Sequence, residues 1–177
     1  MHHSTDTTSW TPVLVMGLSG FVLAAVVPGV VRFTRRSPLW QRVSVPAGVA
    51  LPLLVLLHGW AVLGEPLHTG APGGAVVTEP LLLAGAVLFW LPVLAHTRHR
   101  LDDAGRCLYL FLAAPLLDLP AVVVVAAGRS AEGIAMIVGM LPVGIAAAVF
   151  TWSWVNREER LATVSLVSSP EGDSRVP

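Results

Sequence analysis

Five apolar stretches, each about as long as a helix that crosses a bilayer, constrain this chain more than any other feature of its sequence. In chain order they cover residues 12–31, 43–63, 80–95, 107–127 and 134–155. Only 12% of the residues are charged and 54% are hydrophobic, so the chain lacks the polar side chains that a water-exposed surface needs. We therefore predict an all-α, polytopic membrane helix bundle with about five transmembrane helices in a lipid bilayer.

The distribution of arginine predicts the orientation of this bundle. Nine arginines follow the first, third and fifth stretches: Arg32, Arg35, Arg36, Arg42, Arg98, Arg100, Arg106, Arg157 and Arg160. Because cytoplasmic loops of membrane proteins are enriched in arginine and lysine, we expect the N-terminus outside and the C-terminus in the cytoplasm. The expected division is an extracytoplasmic segment (1–11), a five-helix transmembrane domain (12–156) and a disordered cytoplasmic tail (157–177).

Several classes of function are excluded or disfavoured by what the chain lacks. The formal net charge is zero and no basic run dominates, which argues against a nucleic-acid-binding protein. A single cysteine, Cys107, excludes an internal disulfide and a thiolate zinc site. The motifs GxGxxG, P-loop, GxSxG and HExxH are missing, so we expect a protein that is not an enzyme.

Asp118 is the clearest ionisable residue inside an apolar stretch, and Pro120 follows it closely. A charged side chain at the bilayer centre costs about 3 kcal/mol on insertion scales, so Asp118 is a candidate for holding a cation, a metal ion or a proton. The alternative is a protonated carboxyl group that forms a hydrogen bond to a neighbouring helix.

Four other residues, together with Asp118, could form a metal site in the outer half of the bundle. His58 offers an imidazole, although a lone histidine can equally be a packing residue. Met136 and Met140 are four residues apart and share a helix face; thioethers suit Cu(I), although methionine is also a common packing residue. Glu79 adds a carboxylate on the same side. This set of residue types predicts a transient copper site.

Two further segments carry a family resemblance. Residues 88–94 (LFWLPVL) and 105–113 (GRCLYLFLA) resemble the end of one span and the start of the next in the CtaG-type cytochrome c oxidase assembly proteins. The segment 133–144, with Pro142 inside it, is similar to a later span of that family. The chain would match roughly the last five of about seven family spans. Glu79 stands where the family has a Glu-His pair.

The resemblance implies a function, a location and partners. It implies a multi-pass protein of a bacterial plasma membrane that assists copper insertion into a haem–copper oxidase, with cytochrome c oxidase subunits as partners. His58, Met136, Met140, Glu79 and Asp118 would then be copper ligands or would support them. The alternative is a non-enzymatic accessory subunit of a respiratory complex, and a small carrier that uses Asp118 is a third hypothesis.

Overall fold

The computed structural model describes residues 10–43, 45–64 and 74–168, and within these ranges the chain is helical with no strand. The helices, in chain order, are α1 (Trp10–Phe21), α2 (Val27–Phe33), α3 (Pro38–Val43), α4 (Ala47–Leu63), α5 (Gly74–Leu94), α6 (Asp103–Ala126) and α7 (Ser130–Ser168). A π-helical segment, Val22–Val26, joins α1 to α2, so the two form one continuous helix from Trp10 to Phe33.

Four helices of the described residues are long and apolar enough to cross a bilayer. They occupy Trp10–Phe33, Val77–Leu94, Asp103–Ala126 and Ser130–Val164. The shorter apolar helix α4 has 17 residues and a length of about 25 Å, slightly less than the hydrocarbon thickness. The prediction of an all-α polytopic bundle is confirmed, with four full-length helices and one shorter one.

The helix boundaries differ from the sequence-based ones at several ends. The third stretch was expected at 80–95, but α5 begins at Gly74, and α6 and α7 each begin four residues before the expected 107 and 134. The second apolar stretch was expected at 43–63, but Pro46 has an extended backbone (ψ 144°) and α4 begins only at Ala47. At the other end of the chain, α7 continues to Ser168, so residues 157–168, expected in a disordered tail, are helical. The reason is that no glycine or proline interrupts the chain between Gly144 and Pro170. The remaining parts of the expected end segments, 1–9 and 169–177, lie outside the described residues.

The π-helical segment leaves one backbone carbonyl of the first span without a partner in its own helix. The N–H of Val27 donates to the oxygen of Val22 instead of that of Leu23. The next candidate donor is residue 28, which is a proline and has no N–H. The indole N–H of Trp90 on α5 donates to the Leu23 oxygen at 3.1 Å, in a buried position. This bond joins the first span to α5.

Aromatic side chains extend this contact to α6. Phe89 and Trp90 pack edge to face, with their ring centroids 5.2 Å apart. Phe89 also stacks on Tyr109 of α6 at 5.0 Å, and the Tyr109 hydroxyl donates to the Phe89 oxygen at 3.1 Å. Phe89, Trp90 and Tyr109 are all buried, so they form the centre of the core where α5 meets α6.

Small residues let the first span approach α7 closely. A Cβ atom at Gly139 would lie 2.6 Å from the Gly17 oxygen, and one at Gly20 would lie 3.4 Å from Gly139 backbone atoms. Without a hydrophobic drive between helices in lipid, such close backbone approach supplies the van der Waals contact that holds helices together.

The outward faces of the helices are apolar. Leu56, Leu108 and Trp152, on three different helices, have exposed fractions of 72%, 71% and 71%. A bilayer would cover these side chains, and the inward faces form the core described above.

The close approach at Gly139 gives a prediction. We expect Gly139→Ala to lower the free energy of unfolding by about 1–3 kcal/mol, because the added methyl group overpacks the contact with Gly17. The measurement is unfolding of the purified chain by SDS titration from mild detergent. Gly144→Ala on the same helix is the control, since its Cβ meets no atom within 4 Å and alanine favours the helix. Equal stability of Gly139→Ala and the wild type would contradict the packing.

Candidate metal centre

A small cavity lies at the centre of the bundle, where the first span, α4, α5, α6 and α7 meet. It has a volume of about 10 Å³, which is about the space that one water-sized probe occupies. The residues that line it are Leu23, Ala24, Leu54, His58, Phe89, Trp90, Leu117, Met140 and Val143. Two of the residues that the sequence indicated as metal ligands, His58 and Met140, are therefore brought together by the fold.

His58 is on the inward face of α4. The buried residues of this helix, Ala50, Leu51, Leu54 and His58, recur every three or four positions, which places the imidazole among apolar side chains. The side chain is only 4% exposed, and its Nε2 atom has no hydrogen-bond partner. A buried imidazole nitrogen without a partner costs free energy unless something else binds it.

Met140 approaches the cavity from α7, and Met136 does not. Both methionines are buried, with exposed fractions of 6% and 3%, so the expected shared face is present. Met136 is one turn nearer the start of α7, where its backbone oxygen contacts the position at which Gly20 would carry a Cβ atom. The described lining residues include Met140 but not Met136, so Met136 belongs to the contact with the first span.

Asp118 does not line the cavity, although its neighbour in sequence does. Leu117, the preceding residue on α6, is a lining residue. Asp118 itself is partly buried, and its Oδ1 atom is enclosed without a hydrogen-bond partner. The hydrogen bond to a neighbouring helix that the alternative interpretation requires is therefore not formed at this oxygen.

Glu79 lines a different space. It borders a cleft of about 270 Å³ between the first span and α5, whose other walls include Ser19 and otherwise apolar side chains. The Glu79 side chain is exposed, unlike that of His58. Leu23 lines both the cleft and the central cavity. Glu79 therefore lines a different space from His58 and Met140.

The donor set of the cavity suits only some metals. Within the described residues, no group of three or more histidine, cysteine, aspartate or glutamate side chains could hold a metal ion. A tetrahedral zinc site or an oxygen-rich calcium or magnesium site is therefore not formed there. One imidazole nitrogen and one thioether sulfur are soft to intermediate donors, and these are compatible with Cu(I) at low coordination number.

The sequence analysis did not identify the hydrogen bond between Trp90 and Leu23. Two signals point to them: a proline at position 28 within an apolar span, which removes a backbone donor, and a tryptophan within another apolar span, whose N–H needs an acceptor. Neither signal indicates that the Trp90 side chain contacts the Leu23 oxygen.

The scan against protein-family models, the search of the curated proteins and the search of the solved structures find no match for this chain. The resemblance to CtaG-type proteins therefore depends on the sequence motifs alone.

The unpartnered nitrogen of His58 gives a prediction for the metal-free protein. We expect His58→Leu to keep or raise the free energy of unfolding, by up to about 1–3 kcal/mol, because it removes a buried polar atom that has no partner. The measurement is SDS unfolding in the presence of a copper chelator. Leu54→Ala, one turn away on the same face, is the control and should destabilise the bundle by about 2–5 kcal/mol. A large loss of stability in His58→Leu would show that the imidazole has a structural partner.

Proposed function

We propose that this chain is a CtaG-like membrane protein that carries Cu(I) for the assembly of a haem–copper oxidase in a bacterial plasma membrane. One observation carries the proposal: His58 and Met140, from two helices that are far apart in sequence, line the same central cavity. Copper is the cargo of this protein, which has no catalytic reaction of its own.

The chemistry of the cavity supports Cu(I) as that cargo. An imidazole nitrogen without a hydrogen-bond partner is available as a ligand, and a thioether prefers a soft monovalent ion. The surrounding lining residues are apolar, so water would compete little with the two donors. A site with few ligands also suits transfer, because a metal bound by two groups can be passed to a partner more readily than one held by four.

The two carboxylates have supporting roles in this proposal. Asp118 follows a lining residue of the cavity, and a negative charge near that point would offset the charge of a bound cation. Glu79 borders the cleft on the other side of Leu23, where it would attract a cation to the bundle before binding. Met136 stabilises the contact between the first span and α7.

The second candidate function is an accessory subunit of a respiratory complex. The observation that favours it is the size of the central cavity, about 10 Å³, which is too small for an organic substrate and leaves the centre of the core almost fully packed. The large exposed apolar side chains on the outward helix faces would then contact other membrane helices as well as lipid.

A titration with Cu(I) distinguishes the two functions. We expect the purified chain in detergent to bind one Cu(I), in competition with a chromophoric chelator. His58→Ala and Met140→Ala should each weaken binding at least about tenfold, because each removes a ligand of the cavity.

Met136→Ala is the matched control: it removes a buried methionine from the same helix, yet it should bind Cu(I) about as well as the wild type. Equal affinity in Met140→Ala and the wild type would contradict the copper proposal. Absence of Cu(I) binding by the wild type would favour the accessory subunit.

A further inference from the structure

Two loops at one end of the bundle carry a group of exposed arginines that the copper proposal does not use. One loop follows α2 and the other joins α5 to α6. Their exposed arginines are Arg35, Arg36, Arg98 and Arg100, and Arg32 and Arg42 lie nearby in the flanking helices. The opposite end of the bundle carries Arg129 between α6 and α7, and this residue is paired with Glu132.

Hydrogen bonds join the two loops into one surface. The backbone N–H of His96 donates to the Arg35 oxygen at 3.3 Å, and the Gln41 side-chain amide donates to the His96 oxygen at 3.2 Å. Arg100 belongs to the turn that begins at Thr97, where its N–H donates to the Thr97 oxygen at 3.1 Å. Arginines that are 60 or more residues apart in sequence therefore lie close to one another.

The electrostatic environment of His96 is consistent with this arrangement. Desolvation, and then the positive charges of Arg100, Arg35, Arg36 and Arg106, lower the pKa of His96 below its ordinary value. The side chain of His96 therefore lies within electrostatic reach of arginines from both loops. We call Arg35, Arg36 and Arg100 the arginine patch.

The charge of the arginine patch is not neutralised by the described part of the protein. In that part, Asp103 pairs with Arg106 on the same helix and with Arg157 on α7, and no ion pair involves the patch. Asp102, the acidic residue nearest to Arg100 in sequence, accepts a hydrogen bond from the Gly105 N–H as the cap of α6. Three guanidinium groups thus remain available to an anion.

The position of the patch along the membrane normal identifies the kind of anion. Arg35 and Arg36 are two and three residues beyond Phe33, where the first span ends, and Arg100 is six residues beyond Leu94, where α5 ends. Phe33 is 96% exposed and Leu39 is 63% exposed, so a bilayer would cover apolar side chains beside the patch with its acyl chains. In a bilayer that covers these apolar side chains, the arginines would be level with the phosphates of the lipid headgroups.

We propose that the arginine patch is a binding site for an anionic phospholipid, and that a headgroup with two phosphates matches its charge best. Guanidinium groups bind phosphate oxygens through paired N–H donors, and basic groups between membrane helices attract anionic headgroups. The bound lipid would link the two loops and thereby stabilise the ends of the first span and α5. This proposal is independent of copper.

Native mass spectrometry of the full chain tests the proposal. The chain is released from detergent micelles after equilibration with cardiolipin, phosphatidylglycerol or phosphatidylcholine, and the lipid retained is measured. We expect retention in the order cardiolipin, phosphatidylglycerol, phosphatidylcholine. Arg35→Gln with Arg100→Gln should reduce cardiolipin affinity by about fivefold for each arginine removed.

Two controls distinguish lipid binding at the arginine patch from attraction by the overall positive charge of the protein. Arg157→Gln with Arg160→Gln removes the same charge from α7, outside the patch, and should retain cardiolipin like the wild type. Arg35→Lys with Arg100→Lys keeps the charge and should retain part of the affinity. Far-UV circular dichroism checks that each variant is folded, and the Arg35 carbonyl that binds His96 is unchanged in all of them.

Three results would overturn the proposal. One is equal retention of cardiolipin and phosphatidylcholine by the wild type. Another is an equal loss of cardiolipin affinity in Arg157→Gln with Arg160→Gln, which would show that only the net charge of the protein matters. The third is full displacement of cardiolipin by millimolar pyrophosphate, which would identify a soluble phosphate compound as the ligand.

Discussion

The hydrogen bond from the Trp90 indole to the Leu23 oxygen is the interaction on which the rest of the bundle depends. Inside a bilayer no water is available to a free carbonyl, so every backbone group must find a partner in the protein. The π-helical segment and Pro28 together leave the Leu23 oxygen free, and Trp90 supplies the donor. The π-helical segment in the first span therefore leads to a hydrogen bond between the first span and α5.

The central cavity follows from the same contact. Leu23 and Trp90 both line it, and so does Phe89, which packs edge to face on Trp90. Because these side chains fix the distance between the first span and α5, they also fix the space into which His58 and Met140 project from the remaining helices. The proposed Cu(I) site therefore depends on residues that contribute no ligand.

Part of this structure could be predicted from the sequence because one constraint, hydropathy over about twenty residues, determines it. The spans were found within about four residues at most ends. The start of α5, six residues before the expected 80, and the extended backbone at Pro46 reflect local conformation that hydropathy does not report. His58 and Met140 were identified by their chemistry. Their meeting at one cavity, and the position of Glu79 at a different cleft, depend on how the helices pack. A single sequence carries no direct signal of helix packing.

The free energy of unfolding of Trp90→Phe, measured by SDS titration, tests the central claim most directly. Phenylalanine keeps an aromatic ring next to Phe89 but removes the N–H donor, so the Leu23 oxygen loses its partner. We expect a loss of at least about 1–3 kcal/mol, whereas Trp152→Phe, at a position 71% exposed, should unfold like the wild type. A Trp90→Phe protein as stable as the wild type would contradict the account.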